Sequence, residues 1–407
     1  MMTDKTRICF VDDEPNILQG LKRFMRPMAA EWEMEFHLSG ESALFSMTQN
    51  GPFDVVVSDM RMPGMDGATL LSRVRQDYPE TIRVILSGYA DSDSVLRTIG
   101  PAHLYLAKPC EGESLRDAIR HPLALRRLLS SDSMRRALGG LESLPSLPDI
   151  FLRLDAELAS PHCSAASVAA IVGSDTAMTV EILKLTNSAY FGIGHRVSSV
   201  LQAVRTLGLE TIQTLMVKTA IFRRFAGSSQ VAPYLEGLNR HGLDLSRLAK
   251  RMATRLGATT AQAEAAGCAA LLSNVGALVL LDCHGASYLR TLAQAGPDAS
   301  VHSLEMAAYG VHHGHVGAYL LGLWGFTDTM VEAVAHAPQP SRAGHTDNLL
   351  LSAVHLARAL GPTFPPLPPG ADEGRRLDTA YVHQAGLVGL LPQLTKMAET
   401  ISAEETP

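Results

Sequence analysis

Four short apolar runs in the first 110 residues each lead into a residue that carries chemistry. That pattern constrains the fold more than any other feature of the chain. Ile8-Cys9-Phe10-Val11 is followed by Asp12-Asp13, and Val55-Val56-Val57 leads through Ser58 to Asp59. Val84-Ile85-Leu86 leads to Ser87, and His103-Leu104-Tyr105-Leu106-Ala107 leads to Lys108-Pro109. Met34 to Leu38 alternates as a fifth strand-like segment. Runs apolar on both faces, separated by helical segments, belong to a parallel sheet covered by helices on both sides. Ile17, Leu21, Phe24 and Met25 supply one helix face between the first two strands. The expected unit is a five-stranded, doubly wound α/β domain, flavodoxin-like, whose strand ends meet at one crevice.

After Asp117 the pattern changes. Residues 118–139 read as a helix carrying Arg126-Arg127 and Arg135-Arg136 on an Ala/Leu background, and these arginines read as a solvated face. From 140 onward the periodicity is helical, with no convincing strand. Turn signals at Leu144-Pro145-Ser146-Leu147-Pro148, Gly192-Ile193-Gly194, Gly227-Ser228-Ser229 and Gly296-Pro297-Asp298 punctuate it. The expected division is an α/β domain over 1–122, a helical linker over 123–140 and an all-α core over 141–345. Residues 346–407 form a C-terminal region with a Pro-rich loop (Pro362 to Pro369), a helix from Thr379 to Met397 and a frayed acidic tail.

The 407 residues are 46% apolar and 19% charged, enough for sizeable cores. Net charge is −6, and residues 1–125 carry 13 Lys+Arg against 18 Asp+Glu, so the acidity sits in the first third. That balance disfavours a nucleic-acid binder held by broad phosphate contacts. No basic, polar recognition helix stands out, so a DNA-binding regulator is a weaker alternative. Cys9, Cys110, Cys163, Cys268 and Cys283 are scattered and form no CxxC pair, as expected of reduced thiols. There is neither a signal-peptide pattern nor an uninterrupted apolar stretch of membrane length, so the expected location is cytoplasmic, with no membrane contact.

Asp12, Asp13 and Asp59 would crowd together at the carboxyl ends of the strands. Such a cluster is costly unless a hard cation such as Mg²⁺ neutralises it. Lys108 and Ser87 at neighbouring strand ends offer charge and a hydroxyl to a transferred phosphoryl group, and an Asp carboxylate can serve as its nucleophile. Val-Asp-Asp-Glu-Pro at 11–15, Ser-Asp-Met-Arg-Met-Pro-Gly-Met-Asp-Gly at 58–67, Leu-Ser-Gly-Tyr-Ala at 86–90 and Tyr-Leu-Ala-Lys-Pro at 105–109 stand in order and register. This set resembles the response-regulator receiver domain of two-component signalling, over roughly 5–122. The resemblance implies that Asp59 is the phosphoacceptor, phosphorylated by a sensor histidine kinase. It implies that Asp13, Asp59 and the Arg61 carbonyl bind Mg²⁺, with Asp12 helping through water. Lys108 would pair with the phosphoryl group, and Ser87 and Tyr105 would be the switch residues.

The helical region, over roughly 140–340, resembles the HDOD domain, a relative of the HD phosphohydrolases. The resemblance rests on Leu144 to Pro148, Ile171 to Asp175, Leu183 to Gly192 (including Asn187-Ser188-Ala189-Tyr190) and Gln202 to Leu209. HD enzymes hold divalent ions with histidines and an adjacent His-Asp pair. In Ala270 to Leu280 those two places are Ser273 and Asn274, which are poor ligands. His241 stands where the upstream metal histidine would be. His312 and His315 are spaced to share a helix face while His313 points elsewhere, and His336 ends the next helix. No carboxylate is read beside them, so His315 and His336 are expected to be hydrogen-bonded helix residues. Asn187 reads as a residue pinning a turn, and Trp324 and Phe326 around Gly325 as a core plug at a helix end.

The implied protein is a response regulator whose HDOD body is a protein-interaction output module with no hydrolytic site. The competing function is a metal-dependent phosphohydrolase or phosphodiesterase. The output partners implied by resemblance lie in bacterial signalling, including cyclic-di-GMP and motility networks. Homodimerisation through the receiver fits the same resemblance.

Overall fold

In the computed structural model, residues 5–404 are described apart from 88–100, 109, 111, 127–128, 130–134, 136–137, 139–140, 142–143, 147, 188–195, 210, 213–222, 225–230, 296–299 and 363–376. The first domain has strands β1 (Thr6–Val11), β2 (Trp32–His37), β3 (Val55–Asp59), β4 (Ile82–Ser87) and β5 (Leu104–Ala107). They pair in parallel in the order β2-β1-β3-β4-β5. Helices α1 (Pro15–Met25), α2 (Gly40–Asn50), α3 (Gly67–Asp77) and α4 (Gly112–Arg126) flank the sheet. Side chains alternate across it. Cys9, Val11, Val56, Ile85 and Tyr105 pack with the α2–α3 side. Ile8, Phe10, Val57, Val84 and Leu104 face the other way, into a core that continues into the second domain. Ser39 and Asp66 cap α2 and α3 by accepting from the backbone N–H groups of Ser42 and Thr69.

Three expectations change here. The buried stripe of α1 is Leu18 and Met25, while Ile17 stays exposed and Phe24 is 58% exposed. The helix expected over 118–139 begins earlier, as α4, and is broken by Leu129, which is not helical. Residue 122 thus lies inside α4. Arg126 and Arg135 are not a solvated face: Arg126 pairs with Asp54 at 2.5 Å and Arg135 with Glu80 at 3.4 Å, fastening the segment beneath the sheet. Arg127 and Arg136 lie outside the described residues.

The second domain is helical: α5 (Pro148–Leu158), α6 (Ala165–Val172), α7 (Thr176–Thr186), α8 (Val200–Leu207), α9 (Ala232–Arg255), α10 (Thr260–Leu272), α11 (Val275–His284), α12 (Ala286–Leu292), α13 (Val301–Tyr309), α14 (His313–Leu323), α15 (Asp328–His336), α16 (Leu349–Leu360), α17 (Thr379–Gln384) and α18 (Leu391–Glu404). One strand pair does occur there, β6 (Pro145–Ser146) with β7 (Arg223–Arg224), each two residues long and so below what periodicity detects. Thr259 and Gln262 form a capping box that starts α10. α10 and α11 give a 25-residue stretch, Thr260–His284, apolar enough on average to cross a bilayer, but 89% of its most apolar window is buried inside the fold. Ser273, Asn274 and two glycines interrupt the run, which is why an uninterrupted apolar span is absent.

α11 and α14 pack at the centre. A Cβ on Gly276 would come within 1.8 Å of the His313 carbonyl oxygen, so only glycine allows this crossing. Trp324 and Phe326 are buried around Gly325, whose φ of 76° ends α14. Asn187 pins a turn: its amide donates to the Val197 carbonyl at 2.9 Å and its Oδ1 accepts from the Val197 N–H at 2.6 Å. The two domains meet through α4 and α14, with His121 3.4 Å from Asp328.

Candidate functional site

β1, β3 and β5 deliver Asp12, Asp59 and Lys108 to one end of the sheet, because parallel strands point the same way. Asp12 is 1% and Asp59 8% exposed. Lys108 Nζ donates to Asp12 Oδ2 at 2.7 Å and also to Asp59 Oδ1. Burial alone would lower the Lys108 pKa, but hydrogen bonds and charge from Asp12 and Asp59 outweigh it and raise the value. The remaining carboxylate oxygens are held locally: Asp12 Oδ1 accepts from the Glu14 N–H at 2.9 Å, and Asp59 Oδ2 from the Arg61 N–H at 2.8 Å. Asp13 follows Asp12 and is half-buried. Ser87 ends β4, where its backbone pairs with Ala107, and Tyr105 is buried on β5. Pro109 and residues 88–90 of the motif lie outside the described residues.

Three carboxylates against one ammonium leave a net charge of about −2 at this crevice. The donor set is all oxygen, which suits a hard divalent cation such as Mg²⁺.

The second candidate centre is arranged differently. His241, Ser273 and Asn274 are brought together by α9, α10 and the start of α11, all nearly buried. Asn274 Nδ2 donates to the Leu238 carbonyl at 3.3 Å and lies 3.2 Å from His241 Nδ1. Ser273 Oγ donates to the Ala270 carbonyl at 2.7 Å and accepts from Arg358 at 3.1 Å. The polar groups are thus satisfied by protein partners.

His312 and His315 do share a face, with ring centroids 3.7 Å apart, while the His313 ring centroid lies 6.3 Å from that of His312. The expectation that no carboxylate is near fails: Glu305, fully buried on α13, lies 2.8 Å from His313 Nδ1 and accepts from the Tyr288 hydroxyl at 2.6 Å. His315 and His336 are hydrogen-bonded through their backbones, the His315 N–H donating to the His312 carbonyl at 3.0 Å and the His336 carbonyl accepting from the Gln339 N–H at 2.9 Å, but neither ring makes a hydrogen bond to a described residue. Burial, with help from His336 and Arg342, pushes His315 down to about 4. Among the described residues, no three His, Cys, Asp or Glu side chains are already gathered to hold a metal.

The sequence matches the response regulator receiver domain family over residues 8–120 and the HDOD domain family over residues 144–340. The chain is a receiver domain joined to an HDOD domain. A hydrogenase transcriptional regulatory protein of Cupriavidus necator is 30% identical to this receiver–HDOD protein over 39% of the chain and 32% of its own length. An uncharacterized protein of Treponema pallidum is 26% identical over 49% of the chain and 39% of its own. The receiver–HDOD protein spans about a third of the length of the curated relatives it matches. Among solved structures, a virulence factor from Campylobacter jejuni covers 66% of the chain and 97% of its own length at 22% identity, with a TM-score of 0.51, and shares the fold. A signal receiver domain of an HD domain-containing protein from Pseudomonas fluorescens is 31% identical and covers 30% of the chain and 98% of its own, with a TM-score of 0.28.

Proposed function

We propose that this receiver–HDOD protein is a two-component response regulator, phosphorylated on Asp59 by a sensor histidine kinase, with an HDOD body that acts by binding another protein. The observation that carries the proposal is the Lys108 ammonium shared by the Asp12 and Asp59 carboxylates at the strand ends. An Asp59 oxygen attacks the phosphorus of a phosphohistidine, the P–N bond breaks, and its electron pair returns to the kinase imidazole. Lys108 then turns from the Asp59 carboxylate to the new phosphoryl oxygens, keeping a charge-assisted hydrogen bond. Asp13, Asp59 and the Arg61 carbonyl would hold Mg²⁺, with Asp12 reached through water, and the ion would supply charge neutralisation for the phosphoryl oxygens. Ser87 and Tyr105 would report the modification by adopting different positions in the two states.

The absence of a metal-ligating pair supports an output role for the HDOD body, because the polar groups at the ancestral metal position are already engaged by neighbouring protein groups. Asn274 is engaged with Leu238 and His241, and Ser273 with Ala270 and Arg358. The metal-dependent phosphodiesterase reading has no adjacent His-Asp pair to work with. Cytoplasmic signalling proteins of the cyclic-di-GMP and motility networks are the partner class proposed, and a phosphorylation-dependent homodimer is the assembly proposed.

The test is intact mass after incubation with Mg²⁺ and a small acyl phosphate. Wild type gains one phosphoryl group and Asp59→Asn gains none. Equal labelling of the two would remove the proposal. A pull-down comparing Asp59→Asn with beryllofluoride-treated wild type then identifies the output partner.

A further inference from the structure

We propose that His302, His312 and His313 form a binding site for one borderline divalent transition metal, of the Zn²⁺ class, separate from the oxygen-lined crevice of the receiver. His302 is the second residue of α13, His312 immediately precedes α14 without a side-chain capping bond, and His313 is its first residue. Gly310, in the left-handed region at φ 70°, turns the chain between the two helices and brings the three rings together.

The spacing fits nitrogen ligands. Ring centroids are 4.7 Å apart for His302 and His312, 4.8 Å for His302 and His313, and 6.3 Å for His312 and His313. Three imidazoles arranged tetrahedrally at ordinary metal–nitrogen distances have centroids about 5 Å apart. Two of the required lone pairs are already orphaned, since His302 Nε2 and His312 Nδ1 are buried and have no hydrogen-bond partner. A buried ring nitrogen without a partner is rare in folded proteins and calls for a ligand.

The third ligand is prepared by Glu305. That carboxylate, 0% exposed, lies 2.8 and 3.0 Å from His313 Nδ1. It therefore fixes the proton on Nδ1 and leaves the Nε2 lone pair free. A carboxylate behind a histidine is the arrangement that orients metal-ligating imidazoles and raises their basicity.

Arg358 faces His302, and Arg342 faces His312 and His315. These cations oppose a metal, whereas buried Glu305 favours it. Among the described residues no three such side chains already stand around one point, and the His312 and His313 ring centroids, 6.3 Å apart, are wider than the tetrahedral spacing. Metal capture is thus coupled to turning the His302 and His312 rings. The proposal does not depend on the phosphotransfer reading, and it uses neither Ser273 nor Asn274.

The experiment titrates Co²⁺ into the chelator-stripped full chain, with Asp59→Asn alongside to silence the receiver site. The expected result is one Co²⁺ per chain with the visible absorption of a tetrahedral nitrogen-rich site, bleached by Zn²⁺ and unchanged in Asp59→Asn. His302→Gln and His312→Gln should each weaken binding at least tenfold, and Glu305→Gln about 10- to 100-fold. X-ray absorption at the zinc edge of the wild-type complex, which needs no variant to fold, should show at least three imidazole nitrogens. No stoichiometric Co²⁺ or Zn²⁺, a shell dominated by oxygen or sulfur, or full binding in a folded His302→Gln/His312→Gln double variant would overturn the proposal.

Discussion

The Leu125 side chain lies against the bare backbone of Gly322, so close that a Cβ at position 322 would stand 2.0 Å from Leu125 Cδ1 and 3.1 Å from His121 Nε2. Leu125 belongs to the receiver's last helix and Gly322 to α14 of the HDOD domain, so this contact joins the two domains. Asp328 beside His121 and Leu104 of β5 against Gly325 extend the same seam.

Gly322→Ala should therefore overpack the seam. The expected cost is about 1–3 kcal/mol, read as a lower urea midpoint. Leu125→Ala in the same chain should recover part of it, because the removed side chain makes room for the new methyl. A coupling energy of about 0.5–3 kcal/mol is expected from the double-mutant cycle. Additive effects would mean that the two residues do not meet in solution.

Lys108→Ala removes the one ammonium between Asp12 and Asp59 and leaves two nearly buried carboxylates facing each other. Stability at neutral pH should fall by about 1–3 kcal/mol. A divalent cation should then raise the melting temperature of the variant by more than it raises that of wild type, since the cation no longer competes with Lys108. Thermal melts with and without Mg²⁺ measure this. An identical Mg²⁺ response in both proteins would count against a shared carboxylate site.

The receiver sheet is legible in the sequence because β1, β3 and β4 are buried on both faces and must read as unbroken apolar runs. Their ends are legible for the same reason, as the crevice residue is the first polar residue after the β1 and β4 runs and the second after the β3 run. The face of α1 is not. Ile17 and Phe24 are seven residues apart, as are Leu18 and Met25, so local periodicity offers two adjacent stripes, and only packing on the sheet selects the second. The Ser273-Asn274 pair is legible because the two residues are adjacent in the chain and leave a local trace. Glu305 behind His313 is not, because the turn between α13 and α14 creates that contact.

Asn187 ends α7 and makes both of its amide bonds to the backbone of Val197. Asn187→Ala should cost about 1–3 kcal/mol by leaving a part-buried N–H and carbonyl without partners. Asn187→Asp keeps the acceptor for the Val197 N–H but sets a carboxylate against the Val197 carbonyl, so its loss should ease as pH falls toward the carboxylate range. Urea midpoints for the two variants at neutral and acidic pH distinguish these outcomes. Equal pH responses would show that the amide donor does not matter.

His355 makes stability depend on pH with a defined sign. It is 1% exposed, its Nδ1 lies 2.7 Å from the Ala337 carbonyl, and its Nε2 accepts from the Asp378 N–H at 3.0 Å. Both bonds are satisfied only by the neutral ring with its proton on Nδ1. Burial lowers its pKa from the ordinary 6.5, and the Ala337 bond and Asp378 offset this only in part, while Arg358 adds to the lowering. The unfolded chain therefore binds a proton near pH 6.5 that the folded chain refuses. The contribution is fully present above the ordinary value and is lost as pH falls from there toward the lower native value. Each unit of lowering is worth about 1.4 kcal/mol. Urea midpoints of chelator-treated protein should fall between about pH 7.5 and 5. His355→Gln offers a donor and an acceptor without titrating, so its decline should be shallower, and the difference between the two slopes isolates His355 from the other buried histidines. Parallel slopes would show that His355 titrates alike in the folded and unfolded chains.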